Sequence, residues 1–133
     1  MRIAFAGTPL AAVPTLTALL ASDHEVALVV TRPDAPAGRG RTLAPSPVAE
    51  VAGVSGVPVL KTSHLAEHKD KFADVDCVVV VAFGAMVPRE LLDVPKHGWI
   101  NVHFSLLPQW RGAAPVQYSI LSGDEFTCVT TFR

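Results

Sequence analysis

Residues 77–82 read CVVVVA, six consecutive positions with no polar group except a thiol. The run is short and uniformly apolar, which predicts a central strand covered on both faces. Glu25–Thr31, EVALVVT, is also continuous rather than alternating in its apolar residues, the pattern of a parallel sheet. Working outward, Arg2–Ala6 predicts a first buried strand and residues 56–60 (GVPVL) a short third. Trp99–His103 predicts a fifth and Cys128–Phe132 a sixth.

Between these runs the spacing turns helical. Val13, Leu16 and Leu20 recur on one helical face, with Thr8 expected to cap that helix and Pro9 to occupy its first position. Ser46 and Pro47 form a second cap and first residue, opening a helix through about Val54. His64–Phe72 predicts a polar surface helix, Pro88–Leu92 starts another, and Ala114–Leu121 a last one. Strands alternating with helices imply an α/β fold: an open, mostly parallel sheet with helices on both faces and right-handed crossovers, ending after about the sixth strand.

The 133 residues suffice for one domain with a real core. Half are hydrophobic and 17% are charged, which excludes a disordered chain. A net charge of −1 excludes a chain that binds nucleic acid through its overall charge, so any basic contact surface must be local. Cys77 and Cys128 stand in apolar runs without a ligand partner at metal spacing, so they are expected to be buried free thiols of a cytoplasmic protein. His24, His64, His68 and His97 fall in turns or polar segments. His64 and His68 are four apart but lack a third ligand, so no metal is expected. The N-terminal MRIAFAGTPL lacks the apolar stretch of a signal peptide, and no run approaches membrane-spanning length.

In open α/β sheets, ligands bind beyond the carboxyl ends of the strands. Gly7-Thr8-Pro9, Phe83-Gly84-Ala85 and the loop after His103 all follow such ends, which predicts one composite site. FAGTP at 5–9 is not a dinucleotide fingerprint, because it lacks two of the three glycines and no acidic residue ends the second strand. The chemistry lies in WINVHFSLLPQWRGAAPVQ, 99–117. Asn101 and His103 are two apart and project from the same side of a strand, an amide beside an imidazole. Such a pair can hold a polarised carbonyl oxygen, as acyl transfer needs, or it can be an internally satisfied structural pair. Phe83–Val87 fits either an apolar wall for a flat heterocycle or a plain strand-to-helix turn. Residues 32–47, with four prolines, two glycines and three arginines, are too long and irregular for a routine connection. By charge alone they form a solvated loop, and beside a phosphate chain the arginines become contacts. Ser105 lacks the GxSxG context of a nucleophile.

Four strings stand in a shared order: FAGTP (5–9), TRPDAPAGRGRTLAPSPV (31–48), VVVVAFGAMVP (78–88) and NVHFSLLPQWRGAAPVQ (101–117). Together they resemble the folate-dependent formyltransferases over nearly the whole chain, and among them most closely the methionyl-tRNA formyltransferases. The resemblance implies a Rossmann-like formyltransferase fold that moves a formyl group from 10-formyltetrahydrofolate to the α-amine of initiator methionyl-tRNA for translation initiation. It makes Asn101 and His103 catalytic. It assigns folate binding to Phe83, Gly84, Ala85, Met86 and Val87 and to Ser105, Leu106, Leu107 and Pro108, and tRNA contact to Arg39 and Arg41.

The resemblance also sets expectations about extent. Residues 1–133 would be the N-terminal catalytic domain, incomplete and inactive alone, without the aspartate that orients the histidine or the C-terminal tRNA-binding barrel. The full-length enzyme would be a monomer, and the fragment would self-associate through its open sheet edge. Members more commonly have glycine where Cys128 stands. The alternatives are transfer to an amino sugar or nucleotide, and a folate-binding module without catalysis.

Overall fold

A computed structural model of the chain describes residues 1–38 and 41–133. A six-stranded sheet runs through the molecule in the order β5-β2-β1-β6-β7-β8. The strands are β1 (Arg2–Gly7), β2 (Glu25–Thr31), β5 (Val59–Lys61), β6 (Cys77–Val81), β7 (Trp99–His103) and β8 (Thr130–Phe132). All neighbours are parallel except β7 and β8, which pair antiparallel from Asn101↔Phe132 to His103↔Thr130. The helices are α1 (Val13–Leu20), α2 (Pro47–Val54), α3 (Arg89–Leu92) and α4 (Pro115–Leu121).

The continuous apolar runs are explained by two cores, one on each face. Phe5, Val29 and Val81 point toward Leu16 of α1 and Val48 and Ala52 of α2. Their sequence neighbours Ala4, Ala6 and Val30, with Val78 three residues before Val81, point the other way, toward Leu65, Phe72, Leu91 and Trp99. A strand buried on both sides has no position to spend on a polar residue. Ser46 caps α2 as its sequence implies, accepting the Ala49 N–H at 3.1 Å.

Several expectations are corrected. Thr8 caps no helix: the chain leaves β1 through a 3₁₀ turn, Leu10–Ala12, with Pro9 at its flank and no side-chain cap, because the Thr8 hydroxyl is engaged elsewhere. The third strand begins at Val59 rather than residue 56, since Pro58 has no N–H to donate to a ladder and instead accepts from Val29 through its carbonyl at 2.9 Å. Residues 32–47 contain structure of their own, a two-stranded antiparallel ribbon of β3 (Ala35–Ala37) and β4 (Thr42–Ala44). The 64–72 segment is a 3₁₀ helix, Leu65–Phe72, broken by non-helical geometry at His68, so His64 and His68 share no helical face. Its ends are not surface residues, since Leu65 and Phe72 anchor it in the core. The last strand is shorter than Cys128–Phe132, and Cys128 is exposed while Cys77 is buried.

Candidate active site

The carboxyl ends of β1, β2 and β6 are cross-linked by side chains. Thr8 Oγ1 donates to the Phe83 carbonyl at 2.8 Å and accepts the Arg32 N–H at 3.4 Å. The Arg32 guanidinium reaches from the end of β2 to the Gly84 carbonyl through Nη1, while its Nε is buried with no hydrogen-bond partner among the described residues. Immediately after β6 the backbone turns through left-handed geometry at Ala82 (φ 46°) and Gly84 (φ 82°). For Ala82 that is an unfavourable conformation of the kind that clusters at ligand sites.

A cavity of about 770 Å³ opens at this edge, within the size range of small-molecule sites. One wall is Val80, Ala82, Phe83, Gly84, Ala85 and Met86, and another is Asn101, Val102, His103 and Phe104. Gly112, Ala113 and Pro115 close the third side. Asn101 lies beside Val80 in the parallel register of β6 and β7, so the amide stands at the junction of the first two walls. Among the described residues, the lining includes no Asp, Glu, Lys or Arg. Polarisation in this cavity therefore falls to hydrogen-bond donors, and Asn101 and His103 are the polar side chains that face it.

His103 Nε2 lies 3.0 Å from the carbonyl oxygen of Trp110. A carbonyl only accepts, so Nε2 carries a proton, and in the neutral ring the lone pair stays on Nδ1. The loop that carries Trp110 is tied internally. Ser105 Oγ donates to the Gln109 carbonyl at 2.6 Å, and Thr130 Oγ1 of β8 donates to the Ser105 carbonyl at 2.6 Å.

The structure thus gathers Asn101, His103, Phe83, Gly84, Ala85 and Met86 around one cavity. Val87 packs against the core instead, and Ser105–Pro108 lie outside the cavity wall, with Ser105 wholly buried. Arg41 is exposed beside the β3–β4 ribbon, and Arg39 lies outside the described residues. Ala82, Gly112, Ala113 and Pro115 were not singled out from the sequence. Of these, Gly112 carries the one sequence signal, a glycine in a loop, where its φ is 102°. Cys77, whose thiol burial pushes up, sits at the opposite end of β6 and takes no part in the cavity. Among the described residues no group of three His, Cys, Asp or Glu side chains could hold a metal, and no helix is long and apolar enough to cross a membrane.

The formyl transferase family profile matches residues 1–133. The chain is 58% identical to a methionyl-tRNA formyltransferase of Acidothermus cellulolyticus, over 100% of this chain and 42% of the relative. It is 57% identical to one of Thermobifida fusca, over 100% of this chain and 44% of that protein. The chain therefore spans less than half the length of these curated relatives. Among solved structures, a phosphoribosylglycinamide formyltransferase from Bacillus halodurans superposes with a TM-score of 0.77 at 22% identity, over 98% of this chain and 70% of its own. A formyltetrahydrofolate deformylase from Pseudomonas syringae gives 0.70 at 20% identity, over 98% and 44%. These two share the Rossmann-like fold. With the profile running from the first residue to the last, the chain belongs to the formyl transferase family.

Proposed function

We propose that this chain carries the catalytic centre for moving a formyl group from 10-formyltetrahydrofolate to the α-amine of initiator methionyl-tRNA. The observation that carries the reading is the pair Asn101 and His103, two apart on β7 and facing one uncharged cavity. The relatives of 57–58% identity, named methionyl-tRNA formyltransferases, support the choice of substrate.

The nucleophile is the substrate amine. Free α-amino groups titrate near ~7.7–8.0, so a neutral fraction exists at cell pH without a strong base. Its lone pair attacks the formyl carbon, and the carbonyl electrons move onto oxygen. The Asn101 amide N–H donates to that oxyanion, which no charged side chain of the cavity would otherwise stabilise. The amine then loses a proton and N10 of the folate gains one as the carbon–nitrogen bond breaks. His103, with its Nδ1 lone pair free, is the group to carry that proton.

Phe83–Met86 offer an apolar wall at the end of β6, which suits the face of a flat pterin. In this reading Val87 and Ser105–Pro108 act from behind the folate site rather than in it. Arg39 and Arg41 lie between β3 and β4 in sequence and are the proposed phosphate contacts of the tRNA. Residues 1–133 would be the catalytic part of a cytoplasmic, monomeric enzyme whose tRNA-binding barrel lies elsewhere in the polypeptide.

The test is formyl transfer by the intact polypeptide. Asn101→Ala and His103→Ala should each lower turnover by about 10²–10³ with folding preserved. Wild-type rates in either variant would overturn the assignment. Arg41→Ala should weaken tRNA binding and flatten its salt dependence without changing affinity for a folate analogue. Transfer to an amino sugar or nucleotide, with none to Met-tRNA, would replace the substrate.

A further inference from the structure

Through Nε2, His103 is anchored to the backbone carbonyl of Trp110. The ring's tautomer therefore depends on where that carbonyl points. Trp110 has φ 54°, a left-handed backbone that a residue with a bulky side chain adopts only when something holds it there.

Two contacts hold the indole. Nε1 donates to Oδ2 of Asp124 at 2.7 Å, and the ring lies parallel to that of Tyr118, with centroids 5.9 Å apart and 9° between planes. Gln109 Nε2 approaches the same carboxylate oxygen at 3.5 Å. Tyr118 belongs to α4, and the Asp124 N–H donates to the carbonyl of Ser119 in that helix at 3.1 Å. The end of α4 thus grips the indole by its face and by its edge. A carboxylate accepting an N–H makes a stronger bond than a neutral acceptor.

We infer that Asp124 is a positioning residue for His103, acting through the Trp110 indole to hold the carbonyl that fixes the imidazole with its proton on Nε2. The inference deepens the formyl-transfer reading and rests on it for the role of His103. Without the Asp124 contact, Trp110 relaxes toward ordinary backbone geometry and its carbonyl turns away. Nε2–H then loses its acceptor. The lone pair needed at Nδ1 becomes divided between the two ring nitrogens.

The experiment reads the imidazole directly, by nitrogen-15 long-range spectra of histidine-labelled polypeptide at a pH where the His103 ring is neutral. Wild type should show the Nε2–H tautomer. Asp124→Ala and Trp110→Phe should each shift His103 toward a tautomer mixture. Asp124→Asn, which keeps an oxygen acceptor for the indole, should restore it. In turnover, Asp124→Ala should lower kcat by up to about 10²-fold while leaving KM for the folate unchanged. If Asp124→Ala does not fold, Trp110→Phe carries the test, because it keeps an aromatic ring against Tyr118 and removes the N–H.

An unchanged His103 tautomer in a folded Trp110→Phe or Asp124→Ala protein overturns the inference, as does failure of Asp124→Asn to restore it. A tautomer shift in a protein that transfers no formyl group overturns the reaction and leaves the positioning standing. Transfer with an unmoved tautomer does the reverse.

Discussion

The hydroxyl of Thr8 and the carbonyl of Phe83 are 75 residues apart in sequence and 2.8 Å apart in space. That bond joins the ends of β1 and β6 where the cavity begins. Thr8→Val keeps the branched shape and deletes the donor, leaving the carbonyl without this partner. A loss of about 0.5–1.5 kcal/mol is expected from urea unfolding, with weaker binding of a folate analogue. An unchanged unfolding midpoint would show that the bond contributes nothing to stability.

Gly7 is required by close approach. A Cβ there would lie 2.8 Å from Phe5 Cε1, 2.9 Å from the Ala12 methyl and 3.0 Å from the Val81 carbonyl oxygen. Backbone and core atoms cannot all withdraw, so Gly7→Ala should cost about 1–3 kcal/mol by overpacking. Thermal unfolding measures it, and a stability gain would mean that the Phe5 ring can move aside freely.

Asp76 links the molecule to acid. Its Oδ2 accepts the Arg2 N–H at 2.7 Å, and this bond is the main reason its carboxyl sits below the ordinary value of 3.8. The terminal ammonium, Lys96 and His97 pull the same way. A carboxyl with a lower pKa in the folded than in the unfolded state binds fewer protons when folded. Its contribution is complete above the unfolded value and vanishes as pH falls through the folded one. Asp76→Asn should therefore flatten the acid limb of stability against pH, read from urea midpoints between neutral pH and strong acid. A limb as steep as wild type would assign the acid sensitivity to other carboxyls.

Phe72 is wholly buried, and its ring centroid lies 5.1 Å from that of Trp99. Trp99 is held in turn by its Nε1 bond to the Leu91 carbonyl at 2.7 Å. Phe72→Ala should cost about 3–5 kcal/mol and shift Trp99 fluorescence as its packing partner disappears. A cost below about 1 kcal/mol would mean the site collapses around the gap.

The central strands could be read from CVVVVA and EVALVVT because burial on both faces forces an unbroken apolar string, and no other element of this size does. Asn101 and His103 could be placed on one side because the strand period is two, and both face the cavity. The β3–β4 ribbon was hidden because APA and TLA are three-residue strands, largely exposed, with no alternation to detect. Thr8 escapes a local reading because a hydroxyl before a helix can cap it or bond elsewhere, and its partner lies 75 residues away. Local spacing could not reveal the grip of Asp124 on Trp110, since the two lie 14 positions apart across α4.

The sheet order carries a consequence for synthesis. β1 lies between β2 and β6, and its pairing with β6 runs from Ile3↔Cys77 to Gly7↔Val81. β1 is therefore open along one edge until residue 81 has left the ribosome. At about 5–20 residues per second that wait lasts several seconds. During it, Phe5 has β2, α1 and α2 to pack against but lacks Val81. The cavity, which needs β6 and β7 side by side, cannot form until Trp99–His103 have emerged as well.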